Sequence, residues 1–146
     1  MQPQFMSAAA GETADLGIAQ MRLLLSGNHT AGHISAGEFR GAAGPWTVRH
    51  LHRDLEEIFY VVDGVFTFWV EDTEHVAEAG ALVMIPRGTP HVFRADRAGT
   101  LLVLWTPAGL ENMFLELGRL PADSITDSTV RAEISKRYDS MPVSAV

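Results

Sequence analysis

Short runs of apolar and β-branched residues, nine in all, follow one another between residues 18 and 106, separated by Gly, Pro, Asp and Asn. Such spacing predicts short antiparallel strands, and this number of strands suits a sandwich or a barrel. The predicted strands are residues 21–25, 33–39, 47–52, 57–62, 65–70, 75–79, 81–85, 91–95 and 101–106. The sequence therefore predicts an all-β fold for most of the chain.

One turn within this series carries a strong local signal. Asp63-Gly64 separates the predicted strands 57–62 and 65–70. Asp-Gly favours a type I′ turn, because both central residues of that turn need positive φ. We expect these two strands to pair directly as a hairpin.

The period of the apolar pattern changes after Pro107. Leu110, Met113, Phe114 and Leu117 recur at helical spacing, and Gly118 ends the pattern. A second helix is predicted over residues 128–138, with Asp127 or Ser128 as its cap. We expect a flexible tail over residues 1–17, a barrel over 18–107 and a helical extension packed on the barrel over 108–146.

Composition limits the functions to consider. The net charge is -7 and the basic residues are scattered, so we expect no nucleic-acid partner. No apolar stretch is long enough for a membrane span, and the first residues lack the basic and apolar regions of a signal peptide; we expect a cytoplasmic protein. The chain has no cysteine, so a metal would be held by His, Asp or Glu.

The segment His50 to Gly64 concentrates such ligands. His50 and His52 point to the same face of a strand, because side chains two residues apart share a face. Glu56 and Glu57 open the next strand, and parity alone does not choose between them because both faces of that strand are apolar. His91 follows a Pro-Gly turn and completes a candidate metal site.

The spacing of these residues resembles the two motifs of the cupin superfamily. The first motif is matched by Gly44, five residues, His50, one residue, His52, four residues, Glu57, six residues and Gly64. The second is matched by Gly80, five residues, Pro86, one residue, Gly88, two residues and His91, with Ala95 where the family commonly has Asn. The resemblance implies a single-domain cupin jelly-roll barrel, or double-stranded β-helix, with short C-terminal α-helices. It also implies that Glu57, and not Glu56, is the carboxylate ligand.

The flanking segments are similar to bacterial single-domain cupins of the quercetin 2,3-dioxygenase-like group. By that resemblance one divalent transition metal (Fe, Ni, Mn, Cu, Co or Zn) is held by His50, His52, Glu57 and His91, and Glu57 also transfers a proton. Met113 and Phe114 on the first helix would then border the substrate cavity, although core packing of this helix is the alternative. Phe59, Met84 and Phe93 are further pocket candidates, because they share an end and a face with the ligands.

Three functions remain open on this basis. The first is a dioxygenase acting on a small apolar or aromatic enol, with dioxygen as co-substrate. The second is a non-oxidative isomerase, cyclase or lyase in natural-product metabolism, and the third is a small-molecule-binding protein without turnover. Edge strands of such barrels pair with other chains, so we expect a homodimer.

Overall fold

Two antiparallel sheets face each other in the computed structural model, which describes residues 1–144. The first sheet has the order β1-β2-β3-β11-β6-β9, and the second has the order β12-β5-β10-β7-β8 with the short β4 paired to β10. The strands are β1 Thr13–Asp15, β2 Ala19–Leu25, β3 Ser35–Gly41, β4 Gly44–Pro45, β5 His50–Leu51, β6 Glu56–Asp63, β7 Val65–Val70, β8 Thr73–Glu78, β9 Leu82–Ile85, β10 His91–Ala95, β11 Gly99–Thr106 and β12 Met141–Pro142. The predicted two-sheet jelly-roll barrel is confirmed.

The core lies between the two sheets, and burial alternates along strands such as β6 and β11. In β6, Phe59 and Val61 are buried while Tyr60 and Val62 are exposed. Phe68 and Phe93 of the second sheet stack with ring centroids 5.0 Å apart, and Phe59 crosses from the first sheet to meet both rings. Aromatic side chains therefore join the two sheets at the centre of the barrel.

The turn at Asp63-Gly64 connects the sheets and does not close a hairpin, so the predicted pairing of these strands is wrong. β6 pairs with β11 and β9, whereas β7 pairs with β10 and β8. Gly64 has φ 89°, and a Cβ there would lie 2.8 Å from Gly99 Cα. The β11 backbone lies close to Gly64 where the chain crosses to the other sheet, and the tight hairpin forms at the next turn, where Glu71 has φ 53°.

The N-terminal segment is more ordered than the sequence pattern predicts. Residues 13–15, which we placed in the tail, form β1 and pair with residues 20–22 of β2. Ala14 and Leu16 are buried, and Ala14 packs against Gly118 so closely that a Cβ on that glycine would lie 2.5 Å from the Ala14 Cβ. This alternating pair of apolar residues extends the first sheet by one strand.

Two helices follow the barrel as predicted: α1 spans Glu111–Gly118 and α2 spans Ser128–Lys136. The Asp127 carboxylate accepts hydrogen bonds from Thr129 N and Val130 N, which makes it the N-cap of α2. A short 3-10 helix, Gly27–His29, lies between β2 and β3. Neither α-helix of residues 1–144 has the length and apolarity needed to cross a membrane.

Glu111 attaches α1 to the barrel. This buried carboxylate accepts hydrogen bonds from Gly27 N, Ser35 Oγ and Gly109 N, at 2.9, 2.9 and 2.5 Å. Gly109 directly precedes α1, Gly27 lies in the short 3-10 helix between β2 and β3, and Ser35 opens β3. One side chain therefore holds the start of α1 against one end of the barrel. The candidate site lies under this end.

Candidate metal centre

Four side chains from both sheets converge at this end of the barrel. His50 and His91 come from paired positions of β5 and β10, His52 follows β5, and Glu57 lies in β6 on the same inward face as Phe59. Each offers one ligand atom, and these four atoms lie within 4.8 Å of one another. All four residues are buried, at 9, 3, 0 and 4% exposure for His50, His52, His91 and Glu57.

Backbone carbonyls fix the tautomer of the three histidines. The Nδ1 atoms of His50, His52 and His91 lie 2.7, 2.8 and 2.9 Å from carbonyl oxygens of Val48, Asp139 and Thr89. A carbonyl can only accept, so each Nδ1 carries a proton, and in the neutral form of the ring the lone pair is then at Nε2. Each imidazole can therefore offer its Nε2 lone pair to a metal ion.

Glu57 presents one oxygen to the histidines and holds the other away from them. Its Oε1 lies 3.2 Å from His91 Nε2 and 3.4 Å from His52 Nε2. Its Oε2 accepts a hydrogen bond from the indole Nε1 of Trp105 at 2.7 Å. Glu56 has the opposite orientation and pairs with Arg87, so Glu57 is the glutamate that lies with the three histidines.

The charges at the site follow from burial and from these contacts. Burial, followed by the neighbouring His91, lowers the pKa of His50 to about 4, so this ring is neutral at neutral pH. Burial by itself would raise the pKa of Glu57, but contacts with His52 and His91 outweigh it and hold that pKa below its ordinary value. Burial lowers the pKa of His52, yet the charge of Glu57, whose Oε1 lies 3.4 Å from His52 Nε2, outweighs it and raises that pKa. Glu57 is thus ionised beside the imidazoles.

An unpartnered atom shows that the donor set suits a metal ion. Among residues 1–144, one buried side-chain nitrogen or oxygen atom has no hydrogen-bond partner, and this atom is His52 Nε2. A buried polar atom without a partner is costly, and a cation among three imidazole nitrogens and one carboxylate oxygen would remove that cost. This mixed set suits divalent transition metals better than Ca²⁺ or Mg²⁺.

His50, His52 and Glu57 line a cavity of about 380 Å³, whereas His91 is not among its lining residues. Of the five side chains that sequence reasoning placed at a pocket, four line it: Phe59, Phe93, Met113 and Phe114. Phe39 and Trp46, which were not among the predicted pocket residues, line it as well. The walls of the cavity are thus largely apolar and combine aromatic with aliphatic side chains.

Met84 is not among the lining residues, and its assignment to the pocket was wrong. In β9, Ile85 pairs with Glu57 and is buried, whereas Met84 pairs with Ile58 and is 51% exposed on the outer face of the sheet. Both faces of β9 carry apolar side chains, so parity could not show which of them points inward.

Sequence reasoning also missed the contribution of the C-terminal segment. Besides its carbonyl contact with His52, Asp139 accepts hydrogen bonds from Arg53 N and Asp54 N through its carboxylate, both at 2.8 Å. β12 then pairs with β5, which carries His50. The segment after α2 thus supports β5 and the residues that follow it, which include His50 and His52. Because this segment is far from them in sequence, no local pattern indicates its role.

Comparison with known proteins agrees with this geometry. Residues 37–107 match the family model described as the cupin domain. A curated quercetin 2,3-dioxygenase from Bacillus subtilis (strain 168) is 26% identical over 107 residues, which are 73% of this chain and 32% of that protein. The chain therefore spans about a third of the length of this relative.

Solved structures show the same architecture. An RmlC-like cupin from Shewanella frigidimarina NCIMB 400 and KdgF from Halomonas sp. each have a TM-score of 0.64 at 19% identity. They cover 76 and 73% of this chain, and 96 and 94% of their own chains. The nucleoside dehydratase Pac13 of Streptomyces has a TM-score of 0.63 at 13% identity, covering 76% of this chain and 88% of its own. At these identities the likeness concerns the fold alone. Together with the family match and the paired motifs, it identifies residues 37–107 as a cupin domain.

Proposed function

We propose that this chain is a metal-dependent enzyme, a dioxygenase of quercetinase type that acts on a small apolar or aromatic enol. The observation that carries the proposal is the convergence of three Nε2 lone pairs and one carboxylate oxygen beside an apolar cavity. The name of the Bacillus subtilis relative, quercetin 2,3-dioxygenase, supports the reaction class.

The cavity fits a small organic substrate. Its volume of about 380 Å³ lies at the lower end of the range of typical ligand pockets, roughly 300–1,000 Å³. Phe39, Phe59, Phe93 and Phe114 offer flat apolar surfaces on which an aromatic ring can pack. A substrate held there would meet the ligand set through one polar end.

Each ligand residue has a separate task in this proposal. His50, His52, His91 and Glu57 would hold a divalent transition metal, which when bound would supply Lewis acidity and redox chemistry toward an enol oxygen and dioxygen. Glu57 is also the proposed acceptor of the enol proton, because its Oε1 faces the histidines while Trp105 fixes its Oε2. The aromatic walls exclude water from the reacting end of the substrate.

The first experiment is metal analysis by mass spectrometry on untagged protein as purified, with the variant His50→Ala. The matched control is His75→Ala, which removes an exposed histidine of β8 outside the site. We expect a near-stoichiometric transition metal that is lost in His50→Ala and kept in His75→Ala. A wild type that stays free of metal after incubation with each candidate ion would contradict the proposal.

Oxygen consumption separates the reaction classes. With flavonols and smaller enols, the protein loaded with Fe, Ni, Mn, Cu or Co is expected to consume dioxygen as the substrate disappears. Product formation under strict anaerobiosis would instead establish a non-oxidative isomerase, cyclase or lyase. Tight binding without turnover under any metal and gas condition would establish a binding protein.

We further propose that the chain forms a homodimer through the outer face of β6 and β9. Tyr60, Leu82 and Met84 are exposed there, at 39, 63 and 51%, next to the free edge of the first sheet. A contiguous apolar face at a sheet edge can pair with its own copy about a two-fold axis. Light scattering should give a dimer mass for the wild type and a monomer mass for Leu82→Glu; a monomeric wild type at micromolar concentration would refute the proposal.

A further inference from the structure

One wall of the cavity differs in character from the rest. α2 lines it with Ser128, Arg131, Ala132 and Ser135. The spacing of these residues, at positions i, i+3, i+4 and i+7, places them on one face of the helix. The apolar barrel wall is therefore combined with a more polar wall that belongs to the C-terminal extension.

Among the described residues that line this cavity, Arg131 is the one lysine or arginine, and its side chain is half-buried. One of its terminal nitrogens donates to the Ile125 carbonyl at 3.0 Å. Within residues 1–144 its other guanidinium nitrogens have no hydrogen-bond acceptor and no carboxylate within ion-pair distance. Arg119 and Arg137, which flank the same helices, are each paired with a glutamate.

The environment of Arg131 makes an anionic ligand favourable. Burial lowers the pKa of its guanidinium, yet an arginine stays charged at neutral pH. A partly desolvated cation that faces an apolar cavity gains more from an anion than a fully hydrated one does. The planar guanidinium can donate two parallel hydrogen bonds to a carboxylate, and the hydroxyls of Ser128 and Ser135 lie on the same face of the helix.

We propose that Arg131 is the anion-binding residue of this cavity and that the substrate is a small apolar or aromatic molecule bearing a carboxylate. The inference rests on the proposed function in taking this cavity as the substrate site. A phosphate monoester does not fit as well, because a dianion calls for more than one cation and Arg131 stands alone among the described lining residues. Arg131 would hold one end of the substrate at α2 and orient the other toward the metal ligands.

Calorimetric titration with paired probes tests the proposal without requiring turnover. The probes are benzoate, cinnamate and 2-naphthoate, each compared with its neutral amide at neutral pH. The variants are Arg131→Gln, Arg131→Lys and the matched control Lys136→Gln, which removes the same charge from an exposed position of α2. Each protein is titrated both after chelator treatment and after zinc loading, and circular dichroism verifies its fold.

For at least one pair, the wild type should bind the carboxylate about tenfold or more tightly than the amide, the size expected for a hydrogen bond to a charged group. The preference should persist after chelation, disappear in Arg131→Gln, survive in part in Arg131→Lys and stay unchanged in Lys136→Gln. The proposal is overturned if no carboxylate is preferred. It is also overturned if the preference survives Arg131→Gln and disappears on metal removal, since the carboxylate would then bind the metal.

These outcomes are independent of the reaction class. A carboxylate preference that depends on Arg131 can be present in a protein that consumes no dioxygen, in which case only the dioxygenase proposal fails. Oxygen consumption with a neutral flavonol, combined with no carboxylate preference, would reject the role of Arg131 and leave the dioxygenase proposal intact.

Discussion

Replacing Trp105 by Phe should weaken metal binding while leaving all four ligands in place. The indole N–H of Trp105 donates to Glu57 Oε2 at 2.7 Å, and both residues are buried, at 0 and 4% exposure. Phenylalanine has no donor, so the variant leaves a buried carboxylate oxygen without a partner and free to rotate. The orientation of Oε1 toward the histidines would then no longer be fixed.

The size of the effect follows from the kind of hydrogen bond. A hydrogen bond to a charged group contributes about 1.5–3 kcal/mol, which corresponds to roughly 10- to 150-fold in an equilibrium constant. Partners that orient metal ligands typically contribute about 10- to 100-fold in metal affinity. We therefore expect the zinc affinity of Trp105→Phe to fall by about 10- to 100-fold relative to the wild type.

Competition with a chromophoric chelator measures this affinity, and Trp46→Phe is the matched control. Trp46 also lines the cavity, but its indole N–H donates to the Ala42 carbonyl and not to a ligand residue. Thermal unfolding of the metal-free proteins verifies that both variants fold. Equal zinc affinity in Trp105→Phe and Trp46→Phe would refute the reasoning that the indole positions Glu57.

Three further substitutions test the supports of the site and of the fold. Asp139→Gly keeps a residue suited to φ 59° and removes two charge-assisted hydrogen bonds to backbone N–H groups; the free energy of unfolding in urea should fall by about 1–3 kcal/mol, and metal affinity should fall with it. Glu111→Gln places an amide NH₂ group, itself a donor, among three donors. The free energy of unfolding should fall by about 1–3 kcal/mol in the same assay, with metal affinity unchanged. Gly64→Ala should lower the free energy of unfolding by more than the roughly 1–2 kcal/mol of positive-φ strain, because its Cβ would also meet Gly99.

Controls separate the causes in this group. Gly80→Ala introduces the same strain at φ 94° but meets no atom within 4 Å, so it should be less destabilising than Gly64→Ala. Equal effects at the two glycines would show that the contact with Gly99 is unimportant. Unchanged metal affinity in Asp139→Gly, or reduced metal affinity in Glu111→Gln, would contradict the roles given to these carboxylates.

The sequence predicted the strands and helices better than it predicted which strands pair with each other. The apolar run in β6 indicated a strand, but both of its faces are apolar, so the inward face of Phe59 followed from the motif that selects Glu57 on the same face. Asp63-Gly64 indicated a turn, but a local turn signal does not report which sheet receives the next strand. Met84 was misplaced because both faces of its strand are apolar, so burial left no pattern to interpret.

The ligands of the candidate site were predictable, whereas most of their supports were not. His50, His52, Glu57 and His91 lie at fixed spacing within two segments, and the barrel brings them together as the motif spacing implied. Trp105 could have been found had the pairing of β11 with β6 been known, since it lies directly opposite Glu57. The contacts of Asp139 and Arg131 depend on the path of the chain after the barrel, which no local pattern specifies.

The carbonyl groups that orient the three histidines have a consequence for how such a protein can change over evolutionary time. Every amino acid supplies the same carbonyl, so substitutions at Val48, Thr89 and Asp139 that preserve the backbone path leave the imidazole tautomers intact. The cavity walls, in contrast, consist of side chains, and part of them lies on a helix outside the barrel. Mutation can thus change the shape and polarity of the cavity while the four candidate ligands and their orientation are inherited unchanged.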